Sequence, residues 1–314
     1  MATYQKPNPE LWKGRKSNDL LYLHEKVVCK SIDDNLKKAV AVLGYVCDEG
    51  VKRNLGRTGA TAGADAIRTQ LGKMPNHLKA GKRFIDCGNI ECSDGDMEAA
   101  QNLLGQKVSH LLHQGVFPVL VGGGHDIAYG HYNGIRNYLG NNASIGIINF
   151  DAHFDLRSNE NGNNSGTPFY QIAQECKANG SVFNYLCLGI RKDANDKILF
   201  QTADDLGVDY IEKIEFSIEH AKAIVRKLLD FIQKVDHVYL TIDLDGFSSA
   251  YAPGVSAPSP MGFRPKTVLE TLKIILNSKK MISMDIAEMN PRYDIDSQTA
   301  KLAASLIHFV LQNI

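Results

Sequence analysis

Short apolar runs alternate with helical patterns over most of the chain, and this alternation restricts the fold more than any other feature. The strand-like runs cover residues 117–121, 144–150, 184–190, 237–242 and 280–286. They lack the polar residue at every second position that half-exposed strands carry, which is typical of parallel strands covered on both faces. Apolar residues recur at helical spacing over residues 97–115, 217–235, 265–280 and 299–314. The sequence therefore predicts an α/β fold in three layers, α/β/α, with a mostly parallel sheet.

The size of the chain suits one large domain. Its 314 residues are 44% hydrophobic, which is enough for an extensive core. No internal repeat, low-complexity tract or linker divides it. We therefore predict a single domain over residues 1–314, with residues 1–80, whose pattern is the least regular, partly wrapping the sheet.

Charge and cysteine content exclude several classes of function. Lys+Arg and Asp+Glu both number 35, so no basic excess favours nucleic acid or an anionic membrane surface. No run approaches the roughly 18 apolar residues of a membrane span, and the polar N-terminus has no signal-peptide pattern. The six scattered cysteines contain no CxxC pair, which indicates reduced thiols. We expect a cytoplasmic homo-oligomer that acts on a small molecule.

Polar side chains collect where four of the predicted strands end. The four segments are VLVGGGHD with His125 and Asp126, INFDAHFD with Asp151, His153 and Asp155, LTIDLDGF with Asp243 and Asp245, and SMDIAEMNP with Asp285 and Glu288. Because ligand sites in open α/β sheets form at the carboxyl ends of strands, the four segments are expected to converge.

The spacing within these segments favours metal binding. Residues i and i+2 of an extended segment face the same way, so Asp151, His153 and Asp155 project together, as do Asp243 and Asp245. With His125 they supply two imidazoles and four carboxylates. Two divalent ions would balance the charge of −4 on these carboxylates. Oxygen-rich ligands suit Mn²⁺ better than a thiolate-preferring metal. Two ions about 3.5–4 Å apart would share a water and lower its pKa toward about 7, which produces hydroxide.

Simpler explanations account for single residues but not for the set. A lone Asp at a strand end is more often a turn former or a helix cap than a ligand. Asp126 and Asp285 fit that description, or orient ligands, and His131 and His237 are expected to be surface or packing histidines. GGGHD lacks the spacing of known phosphate-binding loops. Two acidic clusters and a glycine turn ending in His125 are not explained by caps.

Five segments together resemble the signatures of the ureohydrolase family, which comprises arginases, agmatinases and formimidoylglutamases. In chain order they are GGGHD, NFDAHFD, TIDLDGF, APGVSAPSPMGF and DIAEMNP, within a resemblance that runs from about residue 50 to the end. The resemblance implies a single α/β domain with a two-manganese centre, held by the six ligands His125, Asp151, His153, Asp155, Asp243 and Asp245. It further implies that Asp151, Asp155 and Asp243 are the ligands that contact or bridge the two ions.

Other segments separate the branches of that family. LWKGRKSND and DEGVKRNLGRTGATAGADAIR resemble the formimidoylglutamase branch. Arg157 stands where arginases have an asparagine, and a guanidinium forks well onto a carboxylate. Ser165 stands where arginases and agmatinases have a histidine, whereas LGIRKDAND, residues 188–196, partly resembles the arginase segment. The resemblance implies hydrolysis of N-formimidoyl-L-glutamate to L-glutamate and formamide, with a urea-releasing guanidino hydrolase as the alternative.

Each candidate residue has an expected role in that reaction. Glu288 would pair with the amidinium nitrogens of the substrate, and Asp155 would transfer the proton between hydroxide and leaving nitrogen. Arg157 would bind a substrate carboxylate, with Ser165 beside the substrate. Two alternatives from other classes are a metal-binding module without activity and an unrelated deacetylase with one Zn²⁺ and a histidine pair.

Overall fold

The computed structural model describes residues 1–17 and 19–314, so Asn18 of the LWKGRKSND segment lies outside the described residues. The strands are β1 (Ala2–Gln5), β2 (Val28–Cys29), β3 (Ala39–Val46), β4 (Arg83–Cys92), β5 (Phe117–Val121), β6 (Ile145–Phe150), β7 (Asn184–Ile190), β8 (Asp209–Glu212), β9 (His237–Asp243) and β10 (Met281–Ala287). The helices are α1 (Leu23–Lys26), α2 (Glu49–Arg53), α3 (Gly63–Leu71), α4 (Met97–His113), α5 (Ile127–Leu139), α6 (Pro168–Ala178), α7 (Lys197–Asp205), α8 (Ala221–Gln233), α9 (Pro265–Asn277) and α10 (Gln298–Asn313).

These strands form one sheet in the order β1-β4-β3-β5-β10-β9-β6-β7-β8, with β2 beside β4. Every pair is parallel except β1 with β4. All five strands predicted from the sequence are present within about one residue of their expected ends. The mostly parallel three-layer fold is therefore confirmed.

Each strand divides its side chains between two cores, because successive residues of a strand point to opposite faces. In β3, Val40 and Val42 belong to the core that α3, α8, α9 and α10 cover. Ala41 and Leu43 belong to the core that α4, α5, α6 and α7 cover. Both faces of the sheet are apolar, so neither could be left exposed to water. The sheet therefore needs a layer of helices on each face, which gives three layers in total.

The expectation that residues 1–80 wrap the sheet is wrong for residues 39–46. These residues form β3, which lies inside the sheet between β4 and β5. Neither β3 nor β4 was predicted. Strand β4 carries a buried acid, Asp86, which accepts hydrogen bonds from Trp12 Nε1 at 2.8 Å and Arg68 Nη2 at 3.0 Å. These partners lie far along the chain, so local periodicity could not identify β4 as a buried strand.

Helix α4 shows how the predicted helices begin and end. Asp96 precedes it, and its side chain accepts a hydrogen bond from Ala99 N at 3.0 Å, which satisfies a free N–H group of the first turn. The helix ends just before Gly115, whose φ of 69° is readily adopted by glycine. The glycine stop read from the sequence is therefore confirmed.

Two further findings concern the cysteines and membrane insertion. All six cysteines are free, in agreement with the expected thiols. Among the described residues, the helices are all too short or too polar to span a bilayer.

Candidate metal centre

The four polar segments meet because the strands that carry them are consecutive in the middle of the sheet, in the order β5-β10-β9-β6. His125 follows β5, Glu288 follows β10, Asp243 ends β9 and Asp151 follows β6. All four strands are parallel, so their carboxyl ends lie at one edge. The convergence expected from the sequence is present.

The glycine turn after β5 brings His125 to this edge. Gly122 and Gly123 have φ angles of 90° and 76°, which side-chain-bearing residues rarely adopt. A Cβ on Gly122 would lie 2.6 Å from Ala64 N, and one on Gly123 would lie 2.4 Å from Tyr45 Cδ1. Larger residues would push the turn away from these neighbours, so the glycines are required for the position of His125.

His125 is the centre of one group of possible ligands. Its Nδ1 lies 3.1 Å from Asp151 Oδ2, 2.8 Å from Asp155 Oδ2 and 3.1 Å from Asp243 Oδ2. The ligand atoms of these four residues lie within 4.8 Å of one another. The His125 ring is buried, so the three carboxylates surround it away from solvent.

His153 forms the second group with Asp151 and Asp245. Its Nδ1 lies 3.5 Å from Asp151 Oδ1 and 3.3 Å from Asp245 Oδ2. Asp151 alone belongs to both groups, one oxygen facing each histidine. Asp155 and Asp243 were also expected to contact both sites, but the geometry groups them with His125 only. Asp243 Oδ1 accepts a hydrogen bond from Asp245 N at 2.7 Å.

Cations fit these two groups. Within residues 1–17 and 19–314, none of the four aspartates forms an ion pair with a lysine or arginine. His125 Nδ1, Asp245 Oδ1 and Glu288 Oε2 are buried and have no hydrogen-bond partner among the described residues. Buried charges of one sign and unsatisfied polar atoms are costly unless a cation lies between them. The nitrogen and oxygen donors suit a divalent ion of the Mn²⁺ type.

The acidic and histidine side chains of the two groups also shift one another's pKa values. Burial and the neighbouring Asp151 raise the pKa of Asp155 to about 6. Burial alone lowers the pKa of His125, but Asp151, Asp155 and Asp243 together raise it well above its usual value. Burial likewise opposes the charge on His153, yet Asp245 and Asp151 raise its pKa strongly. The carboxylates therefore favour positive charge at both histidines, which a bound cation would also supply.

We expect metal binding to depend steeply on pH for this reason. Metals bind the deprotonated ligands, so the raised pKa values mean that binding releases protons and weakens as pH falls, first where the two histidines gain protons and again through about 6, where Asp155 does. The apparent affinity for Mn²⁺ should change about tenfold per pH unit for each proton displaced. Calorimetric titration from pH 5.5 to 8, in two buffers of different ionisation enthalpy, measures both quantities. An affinity independent of pH over that range would contradict the ligand assignment.

Both residues expected to act in catalysis have strained backbones. Asp155 has a φ of 49° and Glu288 a φ of 65°, in the left-handed region that non-glycine residues seldom adopt. Such strain persists where surrounding structure enforces it, and it concentrates at functional sites. Glu288 Oε1 accepts a hydrogen bond from His125 N at 3.0 Å, which holds the carboxylate beside the metal ligands.

A cavity of about 480 Å³ opens above the two groups. His153, Asp155 and Glu288 line its floor, and the expected substrate residues Arg157 and Ser165 line its wall. All the predicted site residues line this cavity except Asp151, which is fully buried and contacts His125 and His153.

Sequence reasoning missed Asn54, which also lines the cavity. It follows α2, and its Nδ2 donates to Ser165 Oγ at 3.2 Å. The only signal in the sequence was the resemblance of the segment around it, because nothing local indicates that Asn54 reaches a loop 111 residues away.

The remaining singled-out residues lie around the site. Asp126 accepts from Tyr45 OH at 2.8 Å and makes no side-chain cap bond to α5. Asp285 contacts Thr241 and His131 rather than a helix end. His131 is fully buried and not at the surface, and its ring nitrogens lie 2.6 Å from Asp285 Oδ2 and 2.6 Å from Ser283 Oγ. His237 is partly buried at the start of β9.

Known proteins resemble this chain over most of its length. The family model described as arginase family matches residues 38–312. A protein of Aeromonas salmonicida named formimidoylglutamase is 40% identical over 312 residues, covering 98% of this chain and 99% of that protein.

Two solved structures share the fold. Formimidoylglutamase from Bacillus subtilis superposes with a TM-score of 0.84 at 23% identity, covering 95% of this chain and 93% of that chain. Trypanosoma cruzi formiminoglutamase with Mn²⁺ superposes with a TM-score of 0.81 at 24% identity, covering 94% and 98% respectively. At these identities the likeness concerns the fold alone.

Proposed function

The chain belongs to the arginase family, and from that premise we propose that it hydrolyses N-formimidoyl-L-glutamate to L-glutamate and formamide. The proposal includes two Mn²⁺ ions. His125, Asp155 and Asp243 would hold one ion, His153 and Asp245 would hold the other, and Asp151 would be shared by both. Both the Aeromonas relative and the chemistry of the cavity support it.

The observation that carries the proposal is the placement of a buried carboxyl group and a free guanidinium in one cavity. Burial and the neighbouring Asp243 and Asp245 raise the pKa of Glu288 well above its usual value, and a cation beside it would favour the carboxylate. Glu288 at the floor has a free buried Oε2, which suits a cationic amidinium. Arg157 at the wall is exposed, and its guanidinium makes no hydrogen bond or ion pair among the described residues. A substrate with an amidinium at one end and carboxylates at the other matches this arrangement.

The other two arginines of the cavity are already engaged. Arg53 Nη1 donates to Glu98 Oε1 at 2.8 Å, and its Nη2 donates to Gly95 O at 3.1 Å. Arg57 donates to Ser256 O at 2.8 Å and Val255 O at 2.6 Å, and its guanidinium stacks 3.7 Å from the Tyr293 ring centroid. Arg157 is therefore the arginine of this cavity that is left to receive a substrate carboxylate.

The residues of the chain then have distinct tasks. Bound divalent ions would supply a water nucleophile at neutral pH. Glu288 orients the amidinium, and Arg157 holds the carboxylate end, so that the formimidoyl carbon lies above Asp155 and Asp151. Water adds to this carbon, and the bond from carbon to the glutamate nitrogen breaks. Asp155 accepts a proton from the water and returns it to the leaving nitrogen.

A substrate panel tests the proposal. Mn²⁺-loaded protein is assayed with N-formimidoyl-L-glutamate, arginine, agmatine and guanidinobutyrate, scoring formamide and urea. Formamide from the first substrate alone is the expected result. Urea from a guanidino compound would establish the alternative activity, and no product with metal bound would favour the inactive metal-binding module. The arginase-family match leaves no support for the unrelated deacetylase. A cytoplasmic location and homo-oligomeric assembly stay predictions.

Replacing Arg157 by alanine should raise KM for the glutamate substrate about 10–100-fold, since a charge-assisted hydrogen bond contributes about 1.5–3 kcal/mol. The turnover number should change little, because Arg157 is remote from the breaking bond. Steady-state kinetics measure both. Arg53→Ala is the matched control, since its guanidinium already binds Glu98. An unchanged KM in the Arg157 variant would show that another residue binds the carboxylate.

A further inference from the structure

Behind His125, on the side away from the cavity, lies a buried hydrogen-bonded network that the proposed reaction does not use. It consists of Thr241 on β9, Asp285 and Ser283 on β10, Tyr239 on β9 and His131 on α5. All five side chains are buried, at 0% exposure. Polar groups at such a position are costly unless each has a partner, so their arrangement has to be explained.

The direction of each hydrogen bond follows from the groups involved, beginning at the far end. Ser283 Oγ donates to Pro118 O at 3.0 Å, so its oxygen accepts from His131 Nε2 at 2.6 Å. His131 Nδ1 lies 2.6 Å from Asp285 Oδ2. Both ring nitrogens of His131 therefore have buried polar partners, Ser283 and Asp285.

The Asp285 carboxylate then acts only as an acceptor. Its Oδ2 also accepts from Tyr239 OH, and its Oδ1 accepts from Thr241 Oγ1 at 2.5 Å. The single proton of the Thr241 hydroxyl is thus directed at Asp285. The Thr241 oxygen can only accept on its other side, where His125 Nε2 lies at 2.9 Å.

We propose that Thr241, held by Asp285, is a positioning residue that keeps the proton of His125 on Nε2 and so presents the bare Nδ1 to a metal ion. Nδ1 is the ring nitrogen that faces Asp151, Asp155 and Asp243. Metal-bound histidines commonly donate their second N–H to such a partner, which fixes ring orientation and increases ligand basicity. The inference rests on the proposed metal site and not on the identity of the substrate.

The second group has no equivalent support, which makes the inference specific. His153 is about a quarter exposed, and its Nδ1 contacts both Asp151 and Asp245 within the site. Among the described residues, no hydrogen bond joins its ring to a residue behind the site. Loss of the network should therefore weaken one metal site and leave the other nearly intact.

The test is a Mn²⁺ titration of the metal-free full-length protein and its Thr241→Val variant, which keeps the side-chain shape and removes the hydroxyl. We expect binding to one of the two sites to weaken about 10–100-fold. Calorimetry and the EPR signal of free Mn²⁺ measure the affinity of each site. Thr241→Ser restores the hydroxyl and should recover most of the affinity. Thr271→Val is the matched control, because this buried hydroxyl donates to Thr267 O within α9.

Several outcomes would overturn the inference. Unchanged affinity at both sites in Thr241→Val would do so, as would equal weakening of both sites, which indicates general loss of structure. Failure of Thr241→Ser to recover binding would show that the hydroxyl alone does not hold His125 and would contradict its assigned role. None of these readouts involves turnover, so an error in the proposed substrate leaves the result interpretable. A protein that binds no Mn²⁺ at all would overturn the metal centre itself.

Discussion

Replacing Asp151 by asparagine is expected to abolish stable metal binding and to lower kcat/KM by about 10³-fold or more, because Asp151 is the ligand shared by both metal groups. Asparagine keeps the size of the side chain. It also keeps an oxygen that can accept the hydrogen bond from His153 N, which lies 2.7 Å from Asp151 Oδ1 in the native protein. It removes the charge that faces both histidines. Metal content after gel filtration, together with kcat/KM, measures the effect.

Asp126→Asn is the matched control for that experiment. Asp126 is equally buried and adjacent to His125, but it belongs to neither metal group and bonds Tyr45 OH instead. Its pKa is raised to about 7 by burial, so much of its charge is already absent at neutral pH. This variant should retain both metal ions. If the Asp151 variant also retained two ions per chain, its assignment as the shared ligand would be wrong.

The second large effect is expected for Glu288→Gln, which should lower kcat/KM about 10²–10³-fold while metal content stays unchanged. Glutamine can still accept the hydrogen bond from His125 N, which Glu288 Oε1 accepts at 3.0 Å. The free Oε2, however, becomes an NH₂ group that opposes the N–H donors of an amidinium. The loss therefore reflects substrate orientation and not damage to the metal site.

Kinetics and metal analysis separate these two explanations. Glu175→Gln serves as control, because this carboxylate bonds Tyr129 OH on α5 and does not line the cavity. Normal activity in Glu288→Gln would remove the proposed amidinium contact. Loss of metal in that variant would instead make Glu288 part of the metal centre.

Much of the site followed from local spacing. Asp151, His153 and Asp155 alternate along one short segment, and Asp243 and Asp245 along another, which the spacing predicted to be extended. In the structure both segments turn after their strands, because Asp155 has a φ of 49° and Asp245 lies in the short 3-10 helix Leu244–Gly246. The prediction that these residues lie together is confirmed, but turns bring them together and not an extended backbone. Parallel strands also present their carboxyl ends at a common edge, and these residues all followed strands. The first rule depends only on a few neighbouring residues, and the second applies to any parallel sheet. For that reason the fold class and the candidate ligand set were available before the structure.

Other features depended on partners distant in the sequence. Strand β4 was missed because its Asp86 is stabilised by Trp12, 74 residues away, and by Arg68. The sequence also could not predict that Arg53 binds Glu98. It therefore could not predict that Arg157 is the cavity arginine without such a partner. Hydrogen bonds and burial between remote segments leave no periodic pattern along the chain.

The sequence by itself determined which chemical groups were available and that they follow strand ends, because an apolar run and the polar residues after it are local features of the chain. Only the tertiary structure decided that β5, β10, β9 and β6 are neighbours, and therefore that His125, Glu288, Asp243 and Asp151 meet. It also decided that Thr241 links His125 to Asp285. Strand order is set by the packing of the whole sheet against its two helical layers, a property that no single segment contains.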